Sequence, residues 1–256
     1  MVGGFWYKTV HRFVPELPIL NVKPNPEFGW KDCVREPLAG RLGMVKERRE
    51  DKRVSGILMP VSALPGAYGI GDFGEGARAF MDWLCQAGVR QWSLLPLNPT
   101  SYGNSPYQSP SAFAGNMNYI SPEVLRQDGL LSQKELEEAA VPAGNAQVDY
   151  GVLFTERPKL LRKAYARFVK SGGDQKEPFQ RFCQENRGWL DDYGAFMMIK
   201  EEMAYLPWQQ WPGELAWRKE PGYSAYLKEH GEKIGFWKFV QFVFFEQWGR
   251  LRSYAR

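Results

Sequence analysis

Between residues 54 and 97 an apolar run, a glycine-rich loop, an amphipathic stretch and a second apolar run follow one another. "VSGILMPV" (54–61) has the character of a short buried strand. "SALPGAYGIGDFG" (62–74), with four glycines and a proline, is a loop. In "EGARAFMDWLCQAG" (75–88), Ala77, Phe80, Met81, Trp83, Leu84 and Ala87 recur at helical spacing and Gly88 sits where a helix stops. "VRQWSLLPL" (89–97) returns to strand character. Strand, helix and strand within about 45 residues form a βαβ unit, whose crossover forces parallel strands and a right-handed connection. An α/β fold follows, with its ligand side at the carboxyl ends of the strands.

The second strand opens into an unusual segment. In a chain that is 24% charged, the 32 residues from Gln91 to Pro122 contain no Lys, Arg, Asp or Glu. They offer Trp92, Tyr102, Tyr107, Phe113 and Tyr119, several serines, and the amides Asn98, Asn104, Gln108, Asn116 and Asn118. Sugars present hydroxyls that donate and accept hydrogen bonds beside C–H faces that pack on aromatic rings. Full charges are dispensable for such a ligand and resist desolvation. The residues themselves leave two readings open, a carbohydrate surface and a loop that merely spans two elements.

Beyond residue 122 the sequence predicts mostly helix. "SPEVLRQDG" starts from Ser121 with Pro122 at the first position, and "SQKELEEAA" starts from Ser132. Longer patterns cover about 153–170, 176–204 and 232–255, and the last is apolar on nearly all faces, so it should be buried. "LPWQQWPGELAWRKEPG" (206–222) is a Pro/Gly/Trp loop. Residues 1–53 show no sustained period and are expected to be a poorly ordered extension, leaving residues 54–256 as the folded body with a helical part at about 121–231.

Charge and composition exclude several classes. All of the net charge of +4 resides in residues 1–53, and the rest carries 22 basic and 22 acidic residues, which leaves no footprint for nucleic acid. No apolar stretch is long enough to span a membrane, and the N-terminus lacks the pattern of a signal peptide. Cys33, Cys85 and Cys183 are odd in number and lack metal-ligand spacing, which suits reduced thiols in the cytoplasm. His11 and His230 have no partners at ligand spacing, so neither a metal centre nor a His-based triad is expected. "GIGDFGEG" lacks the lysine of a phosphate loop and reads as a tight βα turn. Glycoside chemistry needs two carboxylates about 5–10 Å apart. Asp191 and Asp192 are adjacent in a helical pattern and point different ways, Glu201 and Glu202 likewise, and Asp72 suits a turn or cap.

"SGILMPVSALPGAYGIGDFG", "QWSLLPLNPTSYGNSPYQSPSAFAGN" and "VDYGVLFTERPKLL", with "WLDDYGAFMMIK", "LPWQQWP" and "FWKFVQFVFFEQWGRLRSYA", resemble the amylomaltases, the 4-α-glucanotransferases of glycoside hydrolase family 77. The resemblance runs over residues 54–256. It implies a (β/α)8 TIM barrel of which this chain holds the first two strands, interrupted by a mostly helical insertion. It implies transfer of α-1,4-glucan segments between maltodextrins by a retaining double displacement, with no metal or organic cofactor. In the family, the Ser and Tyr of the "SPYQ" motif line the glucan cleft, and they map to Ser105 and Tyr107 here. Tyr102 corresponds to a tyrosine that contacts glucan at an outer site in some members. Asn104 departs from the aspartate often found before that serine, which touches one hydrogen bond and not the reading.

The family's aspartate nucleophile, glutamate acid/base and second aspartate lie on later barrel strands. The resemblance therefore implies that this chain is an N-terminal fragment without catalytic residues of its own, inactive alone or paired with a complementary C-terminal chain. None of those roles passes to Asp72, Asp191 or Asp192, which lie in no matching motif. A non-catalytic glucan-binding module is the alternative, and burial of Tyr102, Ser105 and Tyr107 would instead favour a structural helical module. Two strands alone would leave an unpaired edge and would deprive the helix at 232–255 of part of its packing.

Overall fold

The computed structural model describes residues 19–22, 53–141 and 147–255. His11, Cys33 and most of the expected N-terminal extension lie outside them. The described residues form a small three-stranded sheet packed against helices. β1 (Ile19–Asn21), β2 (Gly56–Leu58) and β3 (Gln91–Ser93) lie in the order β1-β3-β2. β2 and β3 are parallel, pairing Ile57 with Trp92, as the βαβ pattern requires. β1 runs antiparallel to β3, pairing Leu20 with Trp92.

α1 (Glu75–Gln86) is the crossover helix and buries Ala77, Met81 and Leu84. It ends where the sequence places its stop. Gly88 adopts φ +71, the left-handed region that a Cβ disfavours. Gly88 N then donates to Cys85 O (3.0 Å) and Val89 N to Leu84 O (2.9 Å), the paired bonds of a Schellman motif.

The helical part continues with α2 (Pro122–Gln127), α3 (Gln133–Ala139), α4 (Tyr150–Lys170), α5 (Glu177–Glu185) and α6 (Arg187–Glu202). The expected helix over 176–204 is thus two helices, broken at Asn186. α7 (Gly213–Ala216) and α8 (Gly222–Glu229) are short and lead into α9 (Gly231–Tyr254). Ser132 makes a full capping box with Glu135 at the start of α3. Ser121 precedes α2, but its side chain makes no capping bond.

Among the described residues the outer edge of β2 has no partner strand, as expected, but the outer edge of β3 is paired, because residues 19–21 supply a strand that no periodicity in the N-terminal sequence announces. Leu20 and Val22 are buried there. And α9 does not lack packing. It lies against α4, α5 and α6 and buries Phe236, Trp237, Phe239, Val240, Phe244 and Leu251. A helix apolar on all sides finds enough partners when aromatic side chains fill the gaps on three flanks. Phe168 and Phe179 meet Phe242 at ring separations of 6.1 and 5.4 Å, and Phe73 meets Phe244 edge-on at 5.2 Å. No described helix is long and apolar enough to cross a membrane.

Candidate functional site

The neutral segment includes β3 and, beyond the carboxyl end of that strand, folds as a chain of local turns. Ser101 N donates to Gln108 O (3.1 Å), Asn104 N to Ser101 O (3.0 Å) and Gln108 N to Ser105 O (3.1 Å). Gly103 and Asn104 take positive φ (86° and 55°), which lets the chain reverse at the tip. Serine hydroxyls complete the turns. Ser105 Oγ accepts from Tyr107 N (3.3 Å), and Ser111 Oγ accepts from Phe113 N (3.2 Å) and Ala114 N (3.1 Å). Polar side chains that bond neighbouring backbone hold a loop without helix or sheet.

This loop is anchored from below by α9. Gln241, fully buried, accepts from Gly115 N (2.7 Å) and donates to Gly115 O (3.1 Å). Gln247, two turns further along, treats Ser121 in the same way, at 2.7 and 3.2 Å. Each glutamine amide thus replaces the ladder partner that a strand would have supplied. Asn98 Nδ2 donates to Ala114 O (3.1 Å) and closes the base of the loop.

On this support the two family-derived tyrosines are exposed. Tyr102 is 98% exposed and Tyr107 69%, with Ser105 partly buried between them. The region is not buried, so the purely structural alternative loses the condition it required. Phe113, 40% exposed, lies nearly parallel to Trp189 of α6 at 6.2 Å. Other members of the segment serve the core. Trp92 is fully buried and donates through Nε1 to Met59 O (2.8 Å). Asn116 and Asn118 are buried, and burial pushes the Tyr119 phenol up to about 12. Sequence composition could not separate these from the exposed set, since both are neutral and polar or aromatic.

The candidate carboxylates are engaged within the fold. Asp72 is buried, and burial pushes its carboxyl above the usual range, opposed by the nearby Arg157 charge and by hydrogen bonds from Gly74 N (2.8 Å) and Ser121. Arg157, itself buried, donates to Ile120 O (3.4 Å) and Tyr68 O (3.2 Å). Through Tyr68 O, Arg157 ties the loop after β2 to α4. Asp191 pairs with Lys238, Glu201 with Arg162 and Glu202 with Lys233 between helices, and Asp192 of α6 pairs with Arg218 in the turn between α7 and α8. Among the described residues no group of three or more His, Cys, Asp or Glu could hold a metal ion. His230 Nδ1 lies 2.9 Å from Tyr226 O at the end of α8. An open groove of about 1390 Å³ runs past Tyr68, Asp72, Glu123 and Leu153, and none of Tyr102, Ser105 and Tyr107 lines it.

The profile of the 4-alpha-glucanotransferases, glycoside hydrolase family 77, matches residues 59–256. The chain is 42% identical to the 4-alpha-glucanotransferase of Clostridium butyricum over 197 residues, which are 77% of this chain and 40% of that protein. It is 40% identical to the Thermus thermophilus enzyme over 204 residues, 79% of this chain and 40% of that one. Among solved structures, the amylomaltase from Streptococcus agalactiae in complex with acarbose superposes with a TM-score of 0.74 at 36% identity. That match covers 80% of this chain and 41% of the other. The chain therefore spans about two-fifths of the length of the relatives it matches. The tyrosine-bearing loop, its glutamine anchors and the helices beneath it all lie inside the matched residues, and the chain belongs to the 4-alpha-glucanotransferase family, glycoside hydrolase family 77.

Proposed function

We propose that this chain is the N-terminal, glucan-holding portion of a 4-α-glucanotransferase. In this reading β2 and β3 are the first two strands of a (β/α)8 barrel, and α2–α8 belong to a helical insertion. The full enzyme transfers α-1,4-glucan segments between maltodextrins by a retaining double displacement in the cytoplasm. Its nucleophile, acid/base and second aspartate fall in the part of the relatives that these residues do not span. The observation that carries the reading is the uncharged loop itself. It is fixed to α9 by two buried glutamines, yet it presents Tyr102 and Tyr107 to solvent.

The chemistry follows from these groups. Tyr102 and Tyr107 offer ring faces to the C–H surfaces of glucose units, and their hydroxyls can both donate and accept. Ser105 Oγ accepts from Tyr107 N, which orients the hydroxyl and leaves its proton to donate to a sugar oxygen. Asp191, Asp192, Glu201 and Glu202 are each engaged by a cation, which ties up the carboxylates of α6. This chain alone is accordingly expected to bind α-1,4-glucans without transferring them, as a glucan-binding module would. Ligand of the class that the S. agalactiae amylomaltase holds, acarbose, and maltoheptaose are the probes. Titration of either, followed by the fluorescence of Trp189 beneath Phe113, tests binding, and glucose release from maltotriose tests transfer.

A further inference from the structure

β3 is the central strand of the sheet, and its two edges are served differently. Gln91 N donates to Ser55 O (3.2 Å) and Ser93 O accepts from Met59 N (3.0 Å), so the odd-numbered residues of β3 face the β2 side. The backbone groups of Trp92 consequently point to the other edge, where Leu20 is its partner. Val22 N extends the pairing to Arg90 O at 2.9 Å. Leu20 and Val22 are 4% and 7% exposed, while Asn21 between them faces solvent, the alternation of a strand buried on one face. Yet this strand lies, like β2, before the residues that match the family, which begin at 59, and unlike β2 it is far from them in sequence. It is also antiparallel in a sheet whose βαβ unit is parallel.

We infer that the outer edge of β3 is a strand-acceptor site and that Ile19–Val22 is its resident plug, a separable segment that satisfies the Trp92 backbone and blocks addition of another strand. An open edge beside the buried Trp92 ring would be a template for pairing with a second chain. The plug covers the β3 edge with a short segment, and the edge it leaves outside offers only the outward backbone groups of a three-residue strand. One consequence rests on the proposed function. If β2 and β3 begin an all-parallel barrel, the plug occupies the place of the next parallel strand and must leave before that strand can pair.

Residue-resolved amide hydrogen exchange on the full chain tests the plug without reference to glucan chemistry. The Trp92 amide is expected to be protected in the native chain. Leu20→Pro removes a ladder donor, and should speed exchange at Trp92 by about 100-fold or more while Gln91, bonded to the β2 side, keeps its protection. Asn21→Pro is the control, because that amide points away from β3. A synthetic peptide copying residues 16–25, added to the Leu20→Pro chain, should restore protection at Trp92. Rapid exchange at Trp92 in the native chain overturns the proposal. So does parallel loss of protection at Gln91, which would make β1 an integral core strand, and so does failure of the peptide to restore Trp92. Glucan titration of the same samples reports on the functional reading separately.

Discussion

Gln241 of α9 grips the peptide unit of Gly115 with both ends of its amide, Oε1 accepting from Gly115 N at 2.7 Å and Nε2 donating to Gly115 O at 3.1 Å. The two residues are 126 positions apart, and all four polar atoms are out of contact with water. The contact is the joint between α9 and the neutral loop. Gln241→Leu keeps the side-chain volume and leaves one buried donor and one buried acceptor without partners. Each such group costs about 1–3 kcal/mol, so a loss of about 2–6 kcal/mol in urea unfolding is expected. Glucan affinity should fall with it, since the loop loses its floor.

Gly115 is also a packing requirement. A Cβ there would lie 2.1 Å from Cδ1 of Phe244, well inside contact distance, and the Phe244 ring is itself buried against Phe73. Gly115→Ala should destabilise by about 1–3 kcal/mol, the range for overpacking a filled core. Phe244→Leu in the same chain should recover part of that loss, and a double-mutant cycle measures how much.

These two residues show where sequence reasoning reached and where it stopped. The βαβ unit was legible because period and glycine placement are local: Gly88 ends α1 in the conformation that its position implies. The neutral loop was visible for the same reason, as a run without charge. The clamp of Gln241 on Gly115 was not, because it depends on which face of α9 meets which turn. β1 was missed because a three-residue strand has no period to detect, and its status comes from the vacant edge of β3. Within the neutral segment, composition could not tell exposed Tyr107 from buried Tyr119, which the distance from α9 decides. The partners that α9 does find, the aromatic side chains of α4, α5 and α6, were equally invisible, because they come from helices distant in sequence.

A pH dependence is expected from the joint between α3 and α4. Arg167 Nη1 donates to Glu135 Oε2 at 2.6 Å, and with the hydrogen bonds from Ser132 this holds the Glu135 carboxyl down to about 2, from 4.5. A carboxyl depressed in the folded state binds fewer protons there than in the unfolded chain at the same pH. Its stabilisation is therefore fully present above about 4.5 and is lost as pH falls towards about 2. Glu135→Gln retains a capping-box partner for Ser132 and removes only the charge. Urea midpoints of the two chains should differ at neutral pH and converge across that acidic window.

The tyrosines are expected to act in binding and not in folding. Tyr107→Ala removes an exposed ring, so stability should stay within about 0.5 kcal/mol of the parent. Loss of one ring contact, worth about 0.5–1.5 kcal/mol, should weaken maltoheptaose binding by about 2- to 10-fold. Tyr102→Ala should behave in the same way, and Tyr119→Ala should instead damage the core in which that ring is buried.

The most direct test is a maltoheptaose titration of the purified chain, read by tryptophan fluorescence and paired with an assay for glucose released from maltotriose. Saturable binding that weakens in Tyr107→Ala, with no glucose formed by either protein, is the expected result. A chain that fails to bind, binds equally well without Tyr107 and Tyr102, or releases glucose unaided contradicts the assignment of this loop as a glucan-holding surface separated from its catalytic acids.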